Sequence, residues 1–84
     1  MDSAKRQRII AQINAKEGVP SAEDLRCLKE HGCESWGEYV VDKAEEAGVR
    51  VSMAYSLFSL LGPSEAFDGF VTELEDAAMM AEDG

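Results

Sequence analysis

Residues 35–63, SWGEYVVDKAEEAGVRVSMAYSLFSLLGP, contain the signals that decide the fold. Ser35 and Glu38 have the spacing of a capping box, in which a serine and a glutamate bond each other's backbone N–H groups at the start of a helix. Gly48 follows the apolar face of this helix and indicates its end. A second helix, which Ser52 can cap, ends at the Gly-Pro pair because proline lacks a backbone N–H and disfavours helical geometry in the residue before it.

Three further helices are predicted on either side of this stretch. Isoleucines at helical spacing predict a basic N-terminal helix over about 3–16, and a serine followed by two acids predicts a short second helix. Apolar residues three and four apart predict an acidic C-terminal helix over about 64–80, opened by Ser64, with residues 81–84 frayed. No stretch alternates apolar and polar residues long enough for a strand. The sequence predicts an all-α fold, a compact bundle of about five short helices in a single domain over residues 1–84.

Length and composition limit the class of protein. A chain of 84 residues with 45% hydrophobic residues is too apolar for a disordered tail and is long enough for one modest core. Its two cysteines are too few for the disulfide framework of a secreted scaffold, and its charged N-terminus lacks the apolar region of a secretory signal. The longest uncharged run is far shorter than the roughly 20 residues of a membrane span. We expect a cytoplasmic protein of a prokaryote, or of an element that infects one, with reduced thiols.

The net charge of −9 comes from 17 acids against 8 bases and is unevenly distributed. Residues 1–16 have four bases and one acid, whereas residues 51–84 have seven acids and no base. Such a negative surface repels nucleic acid and anionic lipid and attracts basic proteins. The candidate partner-binding residues are Glu65, Asp68, Glu73, Glu75 and Asp76. Acids on a solvated helix face also keep a small protein soluble, so both interpretations stay open.

Residues 43–62 resemble the helix-turn-helix motif of DNA-binding proteins. The resemblance depends on Ala44, Gly48, Val49, Ala54 and Leu57. In that family the second helix reads the major groove. The resemblance assigns DNA contacts to Arg50, Ser52 and Ser56, with Lys5, Arg6 and Arg8 on phosphates. The chain departs from the family pattern because residues 52–61 include no charged side chain, so direct nucleic-acid binding is disfavoured and a structural helix-turn-helix is the better interpretation.

The second helix of this motif is apolar nearly all round apart from its serines. It is either a central helix or a contact patch for a partner or a second copy, which would give a homodimer through residues 53–61. We expect central burial, because a core of this size needs its aromatic residues. The aromatic side chains expected in the core or at its edge are Trp36, Tyr39, Tyr55, Phe58, Phe67 and Phe70.

Metal and catalytic chemistry are poorly supported. Cys27, His31 and Cys33 have the spacing C-x3-H-x-C, but a structural zinc site needs four ligands and the sequence offers no further cysteine or histidine. We expect His31 to cap the end of a helix and Cys27 to pack beside Leu28. No nucleophile has a matching base, and no glycine-rich phosphate loop or calcium loop is present. The sequence therefore predicts no catalytic residue, no metal, no cofactor and no enzyme activity.

In size, acidity and helical content the chain resembles the small acidic helical proteins of phages and mobile elements, among them anti-CRISPR inhibitors. The resemblance implies a stoichiometric inhibitor or modulator, which binds a nucleic-acid-handling protein through an acidic face and competes with its substrate. Two alternatives come from the residues themselves. One is a helix-turn-helix DNA-binding regulator, and the other is a self-associating structural or assembly protein.

Overall fold

The computed structural model describes the backbone of residues 2–83 and the side chains of residues 2–80. Over these residues the chain forms five α-helices and one 3-10 turn, and it forms no strand. The helices are α1 (Ser3–Glu17), α2 (Ala22–Glu30), α3 (Trp36–Ala47), α4 (Val51–Leu61) and α5 (Gly69–Asp83), with the 3-10 turn at Pro63–Glu65. The predicted all-α class with five helices is confirmed. The backbone of α5 is helical to Asp83, through three of the four residues for which fraying is predicted, and Gly84 lies outside the described residues.

The chain divides into two compact units, residues 1–41 and 42–84, with the boundary inside α3. The first unit includes α1, α2 and the beginning of α3, and its seven acids and six bases give a net charge of −1. The second unit includes the rest of α3, α4, the 3-10 turn and α5, and its ten acids against two bases give −8. The acidity of the protein is therefore a property of the second unit. The single domain over 1–84 stays a prediction.

The predicted serine caps of α2 and α3 are present, and for α3 the structure shows the serine half of the predicted capping box. The backbone amide of Asp24 donates to the hydroxyl oxygen of Ser21 at 3.2 Å, and that of Glu38 donates to the hydroxyl oxygen of Ser35 at 3.2 Å. Each bond satisfies one of the amides that a helix leaves unpaired in its first turn. These side chains therefore fix where the two helices begin.

The end of α3 is fixed by a Schellman motif. The amide of Val49 donates to the carbonyl oxygen of Ala44 at 3.0 Å, and that of Gly48 donates to the carbonyl oxygen of Glu45 at 3.3 Å. Gly48 has a φ of +74°, in the left-handed region that a glycine adopts without steric cost. Only residues 48–50 separate α3 from α4. Gly48 therefore lies in the turn between the two helices, as the helix-turn-helix resemblance implies, and the connection is three residues long.

Two predicted helix starts are wrong. The helix α4 begins at Val51 with Arg50 as its N-cap, so Ser52 lies inside the helix and caps nothing. The helix α5 begins at Gly69 and not near residue 64, because Pro63 opens a separate 3-10 turn that contains Ser64. Proline is well suited to a first helical position, where its missing N–H costs no bond. The acidic C-terminal helix is therefore shorter at its start than the spacing predicts.

The first unit is held together by apolar burial and by one polar contact between helices. Its buried side chains are those of Ile10, Ile13, Leu28, Cys33, Trp36, Tyr39, Val40 and Val41. The backbone amide of Gly37 donates to Oδ1 of Asn14 at 2.7 Å. The basic helix α1 is therefore packed on the first turn of α3 and is part of the fold of this unit.

The second unit has a small aromatic core. Its buried side chains are those of Ala44, Ala54, Phe58, Ala66, Phe70 and Leu74. The rings of Phe58 and Phe70 meet edge to face with their centroids 5.5 Å apart, which is a favoured geometry for aromatic pairs. Of the six aromatic residues predicted for the core, four are buried in their units, and Tyr55 and Phe67 are half-buried. This core fixes the orientation of α4 and α5.

The expected central burial of α4 is wrong for one side of the helix. Ala54 and Phe58 are buried, but Met53 is 48% exposed and Leu60 is 82% exposed. Serines at positions 52, 56 and 59 are exposed on the same side. We call residues 52, 53, 56, 59 and 60 the uncharged α4 face. A core of this size covers only one side of the helix, so its apolar composition does not lead to complete burial.

Candidate protein-binding surface

The five acids predicted to bind a partner are all exposed, and we call this set the acidic surface. Its members are Glu65, Asp68, Glu73, Glu75 and Asp76. The apolar spacing of the last helix predicts that Glu65, Glu73 and Asp76 are solvated, and this is confirmed. All five belong to the second unit. The geometry therefore makes every one of these carboxylates accessible to a partner.

The exposed acids of α5 lie away from its buried positions, with Asp76 on the side opposite the core and Glu73 and Glu75 on the two flanks. Phe70 and Leu74 are buried, and this orientation leaves Glu73, Glu75 and Asp76 in solvent. Residues three apart are neighbours on a helix surface, so Glu73 and Asp76 lie side by side. No base occurs anywhere in residues 51–84, so no cation on the same helix offsets this charge. The exposed side of α5 is thus a region of negative potential.

Exposed methionines lie beside these acids. Met79 is 65% exposed and Met80 is 76% exposed, and each lies four residues after an acid of α5. Residues four apart share a helix face, so Met79 adjoins Glu75 and Met80 adjoins Asp76. Methionine is flexible and polarisable, and it is used at binding surfaces that adapt to their partners. The outer side of α5 therefore combines negative charge with accessible apolar area.

Glu65 and Asp68, the other two members of the acidic surface, precede α5. Their backbone groups form hydrogen bonds within the turn before the helix. The amide of Asp68 donates to the carbonyl oxygen of Glu65 at 3.2 Å, and the amide of Thr72 donates to the carbonyl oxygen of Asp68 at 3.2 Å. The hydroxyl of Thr72 donates to the same carbonyl oxygen at 3.4 Å. These bonds fix the backbone of the turn. Their acceptors are the backbone carbonyl oxygens of Glu65 and Asp68 and not the carboxylates. The exposed carboxylates of Glu65 and Asp68 thus extend the acidic surface beyond the start of α5.

A groove of about 230 Å³ lies between the end of α3 and α5, and we call it the α3–α5 groove. It is lined by Lys43, Glu46, Ala47, Val71, Leu74 and Glu75. Nζ of Lys43 lies 3.2 Å from Oε2 of Glu46, so these two charges form an ion pair. The side chain of Glu75 has no ion-pair or hydrogen-bond partner among the residues that the structure describes. The groove therefore has a lining that is half apolar and half charged, with one carboxylate that has no protein partner.

Of the residues that line this groove, the sequence predicts only Glu75 as a partner-binding residue. The other lining residues are missed because their grouping depends on how α3 and α5 pack, which a one-dimensional pattern does not specify. One local signal does exist in the sequence. Lys43 and Glu46 are three residues apart, the spacing of a helical ion pair, and this spacing indicates that the end of α3 has a polar edge.

The residues that the helix-turn-helix resemblance assigns to DNA are divided between the units. Arg50, Ser52 and Ser56 are exposed at the N-terminal half of α4, in the second unit. The hydroxyl of Ser56 donates to the carbonyl oxygen of Ser52 at 2.9 Å, a bond within the helix. Lys5 and Arg8 are exposed on α1 and Arg6 is half-buried there, all in the first unit.

The apolar positions of the same motif form packing contacts. Ala44 and Ala54 are buried, and Val49 and Leu57 are half-buried. These are the positions at which a helix-turn-helix holds its two helices together. The exposed part of α4 has no charged side chain to neutralise phosphates after Arg50. Packing between the two helices therefore accounts for the apolar positions of the motif.

The two cysteines and His31 take part in contacts within the first unit. The backbone N–H of His31 donates to the carbonyl oxygen of Leu28 at 3.0 Å, so His31 caps α2 as predicted. Its ring meets Tyr39 edge to face at 5.6 Å. Cys33 is buried with its thiol 3.7 Å from the carbonyl oxygen of His31, and Cys27 is half-buried. Within the described residues, no three histidine, cysteine, aspartate or glutamate side chains are grouped closely enough to hold a metal ion.

Comparison of the chain with known protein families, with curated protein sequences and with solved structures found no match. Among the described helices, none has the length and apolar character that crossing a membrane requires. The function is therefore inferred from the exposed residues, their charges and the groove beside them.

Proposed function

We propose that this protein is a stoichiometric inhibitor or modulator of a nucleic-acid-handling protein, which it binds through the acidic surface. One observation carries the proposal: the second unit has a net charge of −8 out of −9, and Glu73, Glu75 and Asp76 of its last helix are exposed. Binding of this kind acts by occupying the partner's nucleic-acid site. It needs no catalytic residue, no cofactor and no metal.

The carboxylates of α5 offer a basic residue the same kind of contact that phosphates do. Glu73 and Asp76, three residues apart on α5, are neighbours on the helix surface. Lysine and arginine side chains form charge-assisted hydrogen bonds with carboxylates as they do with phosphates. The acids of α5 therefore compete with a nucleic-acid strand for the same basic residues.

Solubility does not require so uneven a distribution of charge. A soluble surface can have charges of both signs interspersed, as the first unit does with seven acids and six bases. The second unit has one sign of charge almost throughout, at the expense of repulsion within the unit. Met79 and Met80 add apolar contact area, whose contribution to affinity does not fall with salt.

The resemblance to small acidic helical proteins of phages and mobile elements, including anti-CRISPR inhibitors, agrees with this role. Such inhibitors bind a host protein in equal numbers and block it. A partner that handles nucleic acid in a prokaryotic cell would place the site of action in the cytoplasm. We therefore propose a cytoplasmic host protein with a basic surface as the partner.

The proposal is tested by affinity capture from bacterial lysate with three tagged proteins. The first is the unchanged chain, and the second has Glu73→Gln, Glu75→Gln and Asp76→Asn. The third is a matched control, Glu23→Gln, Glu30→Gln and Glu34→Gln, which removes the same number of exposed charges from the first unit. We expect a nucleic-acid-binding protein to be recovered by the first and third proteins and lost from the second. Equal loss from the second and third proteins would assign the effect to net charge and reject a specific acidic surface.

A second candidate function is DNA binding through α3 and α4. It is favoured by the three-residue connection closed at Gly48 and by the exposure of Arg50, Ser52 and Ser56. Fluorescence anisotropy with a random-sequence DNA duplex at low salt distinguishes it from the first proposal. DNA binding that Arg50→Glu removes would support this function, and an unchanged signal at high protein concentration would reject it.

A third candidate function is self-association through the uncharged α4 face. It is favoured by the exposure of Leu60 and Met53 on a helix without charged residues, where two acidic chains meet with the least repulsion. Sedimentation velocity across a concentration series measures it directly. A dimer that Leu60→Ser converts to a monomer would support assembly, whereas a monomer at every concentration would reject it.

A further inference from the structure

We infer that the α3–α5 groove receives a single arginine side chain of the partner protein. The inference rests on the proposed function, because it names the contact by which a basic partner would be recognised. Three observations on the second unit support it: half of the groove's lining is apolar, the groove has one carboxylate without a protein partner, and it lies at the C-terminal end of a helix.

The lining matches both halves of an arginine side chain. Ala47 and Val71, which are half-buried, offer apolar surface to its three methylene groups, which long basic side chains commonly bury while their charged ends stay in contact with polar groups. A volume of about 230 Å³ is enough for one side chain of this size and not for a folded segment of a partner. The groove therefore fits one residue that is inserted from a larger interface.

The charged residues that line the groove leave one negative charge without a counterion. Lys43 and Glu46 offset each other through their contact at 3.2 Å, and the Lys43 side chain is only 20% exposed. Glu75 is left with an exposed carboxylate and no base in residues 51–84 to pair with it. A guanidinium fits this carboxylate better than an ammonium, because its planar donors bind both carboxylate oxygens at once.

The end of α3 adds a favourable field for a cation. Ala47 lines the groove and is the last residue of α3, where the helix dipole and the free carbonyl oxygens give partial negative charge. The Schellman bonds from Gly48 and Val49 hold this helix end in place before any partner binds. A groove formed in advance loses little conformational entropy on binding.

The experiment is an NMR titration of the isotopically labelled full chain with two probes, a hexa-arginine peptide and a hexa-lysine peptide. Ala47→Leu fills the groove without changing any charge, and Ala11→Leu makes the same change on the exposed side of α1. Glu75→Gln removes the unpaired carboxylate of the groove, and Glu34→Gln removes an exposed acid of the first unit that belongs neither to the groove nor to the acidic surface. The binding of each probe is measured from the shifts of backbone amides in residues 43–47 and 71–75.

We expect Ala47→Leu and Glu75→Gln each to weaken hexa-arginine binding by about 5- to 10-fold, and both control variants to weaken it by less than about 2-fold. Hexa-lysine should bind more weakly than hexa-arginine and respond little to Ala47→Leu. Far-UV circular dichroism and the unfolding temperature establish that each variant is folded. Glu75→Gln keeps the test decisive if the larger side chain at position 47 disturbs α3.

The outcomes separate this inference from the proposed function. If Ala47→Leu binds hexa-arginine as the unchanged chain does, and Glu75→Gln matches Glu34→Gln, the arginine groove is rejected while general attraction by the acidic surface remains. If the unchanged chain binds neither peptide at low salt, the proposed acidic surface and the groove are both rejected.

Discussion

Asn14 of α1 accepts a hydrogen bond from the backbone N–H of Gly37 in the first turn of α3, at 2.7 Å. The two residues are 23 positions apart, so the bond joins helices and not neighbours along the chain. The backbone N–H of Gly37 is one of those in the first turn of α3 that have no acceptor within the helix. Such a group needs an acceptor elsewhere when it is buried, as Gly37 is. The side chain of Asn14 in α1 therefore supplies the hydrogen-bond acceptor that the neighbouring residues of α3 do not.

Replacing Asn14 by alanine should destabilise the protein by about 1–3 kcal/mol, because it leaves the buried amide of Gly37 without an acceptor. Urea unfolding followed by circular dichroism measures the change. Gln12→Ala, at an exposed position of the same helix, is the matched control and should stay within about 0.5 kcal/mol of the unchanged chain. Equal stability of the Asn14 variant and the control would show that this bond contributes nothing.

Replacing Gly37 by alanine should destabilise the fold by about 1–3 kcal/mol, although alanine is the better helix former. The added Cβ would overlap the backbone carbonyl oxygen of Ile10, which moves only if α1 moves. Gly69→Ala is the control, since its Cβ meets the flexible carboxylate of Glu65, which is free to turn into solvent. Differential scanning calorimetry compares the two, and a Gly37 variant as stable as the Gly69 variant contradicts the close approach.

Ser35→Ala should cost about 1 kcal/mol, because Ser35 accepts from the amide of Glu38 at the start of α3. Ser52→Ala should be neutral or slightly stabilising, since Ser52 lies within α4 and alanine favours a helix. Thermal unfolding of the two variants side by side measures the difference. A larger loss at Ser52 than at Ser35 would restore the cap that the sequence predicts and reject Arg50 as the N-cap.

Neutralising Glu73, Glu75 and Asp76 together should raise the unfolding temperature at low salt by about 2–5 °C, because like charges on one helix repel each other. Added sodium chloride should raise the unfolding temperature of the unchanged chain and narrow this difference, since salt screens exposed charges. The neutralised variant is compared with the unchanged chain in 20 and 300 mM sodium chloride by calorimetry. A variant less stable than the unchanged chain at low salt would mean that these acids stabilise the fold, which opposes a purely functional role.

The helices and most of their limits could be predicted from local chemistry. Ser21, Ser35 and Gly48 act within a few residues of their own positions, so the sequence specifies their structural roles. The start of α4 could not be predicted in this way. The three-residue connection closed by Gly48 brings the chain back into helical geometry immediately, so the helix begins before its serine and Arg50 becomes the N-cap without a side-chain bond.

The candidate site could be predicted only in part, for a similar reason. The exposure of Glu73 and Asp76 follows from the apolar spacing of α5, which is a property of one helix. The groove beside Glu75 depends on the approach of α5 to the end of α3, and the position of Asn14 over Gly37 depends on how α1 packs. Contacts between helices depend on packing that helical periodicity does not encode.

The most direct test of the central claim is displacement of nucleic acid from the partner. A fluorescent oligonucleotide is bound to the captured nucleic-acid-binding protein, and its anisotropy is followed as the unchanged chain or the variant neutralised at Glu73, Glu75 and Asp76 is added. We predict that the unchanged chain releases the oligonucleotide completely near one chain per partner, and that the neutralised variant releases little. An oligonucleotide that stays bound while the unchanged chain also binds would contradict competition through the acidic surface.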